Sequence, residues 1–126
     1  MRAVDTNVLV RLLTRDDARQ AAAADAFVQP GAWVSVVVLV EAMWVLGTVY
    51  ERDARQIALA LEMLLNHRSL VLQHADAAQA ALQVFRRRPA LGFSDCLVVE
   101  LARAAGHVPL ATFDRALGKL EGTARL

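Results

Sequence analysis

Four acidic residues sit in otherwise apolar or turn-forming stretches. They are Asp5 in "AVDTNVLVRLL", Glu41 in "SVVVLVEAMWVL", Asp95 in "FSDCLVVELA" and Asp114 in "LATFDRAL". A bare carboxylate is costly to bury, so each must be solvated, paired, used as a helix cap or bound to a metal ion. Carboxylates gathered in one place repel and raise one another's pKa, and a hard cation such as Mg²⁺ or Mn²⁺ relieves that repulsion. Metal-assisted hydrolysis is the chemistry open to such a set.

Three of the four also have an ordinary structural explanation. Asp-Thr-Asn before an apolar helical run is a good N-cap sequence, so Asp5 could simply cap. Asp95 could be a first-turn acid behind a Ser94 cap, favoured by the helix dipole. Asp114, two residues after Thr112, could be a turn residue. Glu41 is different: it is the only ionisable group from Ala32 through Tyr50, with Val37, Val38, Trp44 and Val45 as helical neighbours. No Arg or Lys lies within a helical turn of it, so compensation is expected from elsewhere in the fold, a divalent cation included.

The elements that must position these acids follow from period and punctuation. Residues 2–4, 32–36, 69–73 and 108–112 read as short strands, and "ARL" at 124–126 as a fifth, edge strand. Helices are expected from Asn7 to Thr14, after Asp16 or Asp17 up to "QPG", over the apolar run 37–51, over 54–66 behind an Asp53 cap, and over 76–88 up to Pro89. Another opens at Ser94 and runs to a Gly106 C-cap, and a short one lies around 114–120; "PALGF" is a loop. Strands alternating with helices argue an α/β layer fold with a parallel sheet. In such sheets ligands sit beyond the carboxyl ends of the strands. Asp5 ends the first strand, Glu41 follows the second by about a helical turn, Asp114 follows the fourth, and Asp95 begins the helix leading into it. A parallel sheet would let all four converge on one rim.

A chain of 126 residues is expected to form a single domain, 1–126, with a real core, since 56% of it is hydrophobic. That apolar excess, with a helix over 38–50 that is apolar nearly all round, also suggests burial against another chain. A formal net charge of +1 excludes a bulk-basic nucleic-acid coat, so any nucleic-acid contact must be local. One cysteine, Cys96, permits no internal disulfide and fits a reducing compartment. No secretory h-region and no membrane span is visible, and a cytoplasmic location is expected.

The four quoted stretches, in this order and covering residues 3 to 117, resemble the motifs of PIN-domain ribonucleases, in particular VapC-type toxins of type II toxin–antitoxin modules. The resemblance implies a PIN-like three-layer α/β fold, with a mostly parallel central sheet of four to five strands flanked by helices. It implies an acidic quartet of Asp5, Glu41, Asp95 and Asp114, with Asp5 and Asp95 as ligands to Mg²⁺ or Mn²⁺. Asn7 and Thr112 match polar supporting positions, and Thr6 or Asn7 would hold Asp5 in orientation. The chain carries Phe113 where relatives often have a polar residue. The implied reaction is hydrolysis of an RNA phosphodiester to a 5′-phosphate and a 3′-hydroxyl, inhibiting translation and growth. The implied partners are a second copy in a homodimer and a VapB-like antitoxin whose C-terminal segment covers the acids.

A polyanionic substrate needs cations beside the acids. Arg86, Arg87 and Arg88 form the obvious cluster, although arginines at a helix C-terminus also complement its dipole. Arg11, Arg15 and Arg115 are the alternatives. His67, His74 and His107 lack zinc-site spacing, and Cys96 reads as a buried, inert thiol. Trp33, Met43, Trp44 and Tyr50 read as core or interface residues. A phosphoacceptor receiver would need a central Asp after the third strand, where this chain has "VLQH". A dehalogenase-type phosphatase needs Asp-x-Asp, where this chain has "DTN". An RNA-processing PIN nuclease that is not a toxin, and an inactive PIN-like protein-binding module, remain as rivals.

Overall fold

Asp5, Asp17, Ser35 and Asp53 each stand immediately before a run of residues at helical spacing. In the computed structural model, which describes residues 1–126, each accepts a hydrogen bond from the backbone N–H three residues on. These caps start α1 (Thr6–Thr14), α2 (Ala18–Val28), α3 (Val36–Thr48) and α4 (Ala54–Leu65). At α4 the Gln56 side chain returns the bond to the Asp53 N–H, completing a capping box. Between the helices run β1 (Arg2–Ala3), β2 (Ala32–Val34) and β3 (Leu70–Leu72). Then follow α5 (Ala75–Arg87), α6 (Phe93–Ala104), β4 (Leu110–Thr112) and β5 (Thr123–Arg125), with short 3₁₀ turns at Pro89–Leu91 and Leu117–Lys119.

The chain divides into two compact units, Met1–Ala75 and Asp76–Leu126. In the first, β1, β2 and β3 form a parallel sheet in that order, with Ala3 opposite Trp33 and Trp33 opposite Val71. Alternation sorts their side chains: Ala32, Val34, Leu70 and Leu72 are buried, whereas Trp33 and Val71 are exposed. Leu9, Leu39, Leu61 and Leu64 complete the core of this unit. Each contributes about 1.5–3 kcal/mol by leaving water.

In the second unit β4 and β5 pair in parallel. Its core is Leu82, Phe85, Phe93, Leu97 and Val99, with Phe85 and Phe93 edge to face at 6.3 Å between ring centroids. That geometry adds about 0.5–1.5 kcal/mol to the area buried.

The α/β class and the parallel pairing agree with the sequence, but three expectations need correction. The five strands form two parallel sheets, not one of four to five strands. Residue pattern shows that a segment is extended; it does not specify which neighbour takes its hydrogen bonds. Ser94 is not the cap of α6: the helix begins at Phe93, and Gly92 holds the N-cap position at φ 79° with no side-chain bond. Glycine reaches that backbone conformation without penalty. Finally, α3 is buried on one side only. Leu39, Ala42, Met43 and Leu46 face the core, while Val37, Trp44 and Val49 are 69%, 65% and 66% exposed. No helix is long and apolar enough to cross a membrane.

Candidate active site

Asp5 leaves β1 one residue after Val4 and caps α1, its Oδ1 accepting from the Val8 N–H at 3.2 Å. The ordinary explanation for Asp5 is therefore realised, and it occupies one oxygen of an exposed carboxylate. Thr6 and Asn7 open the helix behind it, half-buried and exposed respectively. Asn7 lines a shallow groove of about 320 Å³ between α1 and α2, together with Arg11, Gln20 and Phe27.

Glu41 lies in the middle of α3 on its open side. The expected burial does not occur. The carboxylate is exposed, so water solvates it and no compensating charge is demanded. Val37 precedes it by one turn and Trp44 follows by one turn on the same exposed stripe. The apolar composition of this helix concealed the fact that half of it faces outward.

Asp95 and Asp114 belong to the second unit. Asp95 is half-buried in the first turn of α6, where the helix dipole favours a negative charge. Its charge is felt by the adjacent Cys96. That thiol is pushed up to about 11, first by burial and then by the negative charge of Asp95. Asp114 follows β4, and its turn is tied twice. The Thr112 hydroxyl accepts from the Asp114 N–H at 3.0 Å, and Asp114 Oδ1 accepts from the Leu117 N–H at 2.7 Å. Thr112 thus ties the backbone of the turn that carries Asp114. Phe113 between them is 80% exposed.

Two of the four acids thus lie in each unit, and no three acidic, imidazole or thiol groups are gathered closely enough to cage an ion. The donor chemistry nevertheless suits a hard cation. Mg²⁺ keeps several waters and is commonly held by one or two carboxylates plus substrate phosphate, with no all-protein cage.

The candidate phosphate-binding arginines differ in their surroundings. Arg11 is committed: it donates to Gln20 at 2.6 Å, to Asp16 at 2.9 Å and to the Tyr50 hydroxyl at 3.0 Å. Arg15 forms a two-pronged pair with Asp25 at 2.6 and 3.1 Å. Arg86 and Arg87 lie in the last turn of α5, Arg88 just beyond it, and all three are exposed, as is Arg115. Sequence reasoning passed over Arg103. It lies at helical spacing from Cys96, Val99 and Glu100, and these residues wall a cavity of about 340 Å³. The 96-99-100-103 spacing was the available signal.

No curated protein matches the chain. The family model described as "PIN domain" matches residues 2–122, and all four acids fall within that span. PIN domains are generally nucleases, hydrolases of nucleic acid that typically use divalent metals, which suggests an RNA substrate here. The chain belongs to the PIN domain family.

Proposed function

We propose that this protein is a metal-dependent endoribonuclease acting as a single domain, the VapC-type toxin of a type II toxin–antitoxin module, working in the cytoplasm to inhibit translation and growth. The observation that carries the reading is the family match over residues 2–122, the span in which Asp5, Glu41, Asp95 and Asp114 lie. Asp5 and Asp95 would hold a Mg²⁺ or Mn²⁺ ion, which would supply Lewis-acid polarisation and neutralise developing charge.

The chain's own groups do the rest. Glu41 and Asp114 accept hydrogen bonds from the attacking water and orient it in line with the scissile P–O3′ bond. Water adds to phosphorus, losing a proton to one of these carboxylates, and the P–O3′ bond breaks with O3′ taking a proton from solvent, which leaves a 5′-phosphate and a 3′-hydroxyl. Thr112 keeps the Asp114 turn in place, and Thr6 and Asn7 support Asp5. No side chain acts as a nucleophile, which agrees with the protonated state that burial imposes on Cys96.

Two protein partners complete the proposal. A second copy covers the open apolar side of α3 and α4, where Val37, Trp44, Leu59 and Met63 are at least half exposed. A VapB-like antitoxin covers the acids. The second reading, an inactive PIN-like module that only binds protein, draws support from the absence of a ready-made three-ligand cage. Cleavage of RNA by purified protein, freed of any partner, decides between them. The parent is expected to cut in Mg²⁺ or Mn²⁺ and leave 5′-phosphate ends. Asp5→Asn should lose most turnover yet keep its fold, because Asn caps a helix as well as Asp. Equal cleavage by Asp5→Asn would remove that residue from the site.

A further inference from the structure

The second unit holds a cavity of about 340 Å³ between the end of α5, one side of α6 and the segment around Leu120. Its apolar surface comes from the half-buried Val84 and Leu120, with the buried Cys96 and Val99 behind them. Its rim is cationic, with Arg87, Arg88 and Arg103 against Glu100 and Glu121.

The charges do not cancel evenly. Arg103 is held in place, its Nε donating to Glu100 at 3.3 Å and its terminal nitrogen to the Glu121 carbonyl at 2.9 Å. Gly122, at φ +88°, makes room for it: a Cβ there would stand 2.7 Å from that nitrogen. Glu100 is therefore already answered, whereas no acid or hydrogen-bond acceptor meets Arg87 or Arg88. Complementing the α5 C-terminus explains a solvated arginine there. It does not explain an apolar hollow beside two unanswered guanidinium groups.

A hollow of this kind suits a ligand with a flat, weakly polar body and an anionic group. The same helix joins it to Asp95, which lies one residue before Cys96 and eight before Arg103, about 12 Å along the axis at the usual rise. A strand whose phosphate lay at Asp95 would bring a neighbouring nucleotide to this cavity.

We propose that the cavity is a nucleotide subsite for single-stranded RNA. One base of the strand rests against Val84 and Leu120, and its phosphate is taken by Arg87 and Arg88. The choice of RNA rests on the nuclease reading above. A free mononucleotide offers the same chemistry, and the test separates the two.

The experiment is fluorescence anisotropy of a short labelled single-stranded RNA with the full chain in EDTA, so that binding is read without cleavage. Arg87→Ala/Arg88→Ala should weaken binding about tenfold or more and reduce the slope of log affinity against log salt by about 0.7, one single-strand phosphate contact. Val84→Trp, which fills the hollow without changing charge, should also weaken it. Arg19→Ala/Arg55→Ala removes equal charge from the first unit and should leave affinity within about twofold. Thermal melts confirm that each variant is folded, and the exposed arginines carry the test if Val84→Trp is not. Unchanged binding by Arg87→Ala/Arg88→Ala, equal loss in the control pair, no RNA binding by the parent, or 5′-AMP binding as tightly as the strand would each overturn the subsite. Cleavage by the parent with unaltered binding in Arg87→Ala/Arg88→Ala would contradict the subsite alone. Binding through the cavity without cleavage in any metal would contradict the nuclease reading alone.

Discussion

Tyr50 donates its phenolic hydrogen to Asp16 Oδ2 at 2.8 Å, joining residues 34 positions apart. Asp16 also accepts from Thr14 and Arg11, so a single carboxylate ties the end of α1 to the segment after α3. These bonds favour its charged form. The Thr14 hydroxyl, then Tyr50 and Arg11, hold Asp16 below the usual carboxylate range.

A depressed carboxylate contributes stability that is present above its unfolded pKa, about 3.9, and is lost as pH falls through the lower folded value. The parent's melting temperature should therefore fall more steeply than that of Asp16→Asn as pH drops below about 4. Near neutral pH Asp16→Asn should melt lower than the parent. Thermal melts across that range check both; parallel acid limbs would show that Asp16 plays no such part.

The same network bears on RNA contact. Arg11 and Arg15 are both raised above the usual guanidinium value, Arg11 first through Tyr50 and Arg15 first through Asp25. Arg11→Ala and Arg15→Ala are expected to lower the melting temperature while leaving RNA affinity within about twofold. A tenfold affinity loss in either, with the melt unchanged, would place that arginine at the phosphate backbone.

Much of this architecture was legible in the sequence because caps and periods are local. Asp17 and Asp53 each stand where a helix begins, and the β-branched run at 32–36 marks a strand; that strand ends at Val34, because Ser35 caps α3. Two features were not local. Whether β4 joins β1 or β5 depends on long-range hydrogen bonding, which residue pattern does not encode. The exposure of Glu41 was hidden because Val37, Trp44 and Val49 are apolar yet turned outward, and composition cannot say which side of an apolar helix lacks a neighbour. Of the site, the positions of Asp5, Asp95 and Asp114 at element ends were readable; Arg103 was not, since its role is defined by Glu121 and Gly122, far along the chain.

The outward stripe on α3 predicts association. The parent should sediment as a dimer at micromolar concentration, and Val37→Glu/Trp44→Glu as a monomer. Because both side chains are exposed, the substitutions should change unfolding stability by no more than about 0.5 kcal/mol each. A monomeric parent would leave that face without a second copy.

Cys96 is 1% exposed and its thiol is pushed up to about 11, so it stays protonated near neutral pH. Iodoacetamide should leave it unmodified in the folded protein and alkylate it once denaturant is added. Rapid alkylation of the native protein would mean that α6 opens readily.

The most direct test of the central claim is calorimetric titration of Mg²⁺ and Mn²⁺ into the parent and into Asp95→Asn, with RNA cleavage followed on the same samples. Saturable metal binding and cleavage are expected in the parent, and loss of both in a variant that melts as the parent does. A folded parent, freed of partner chains, that neither binds metal nor cuts RNA would contradict it and leave the acids as helix caps and turn residues.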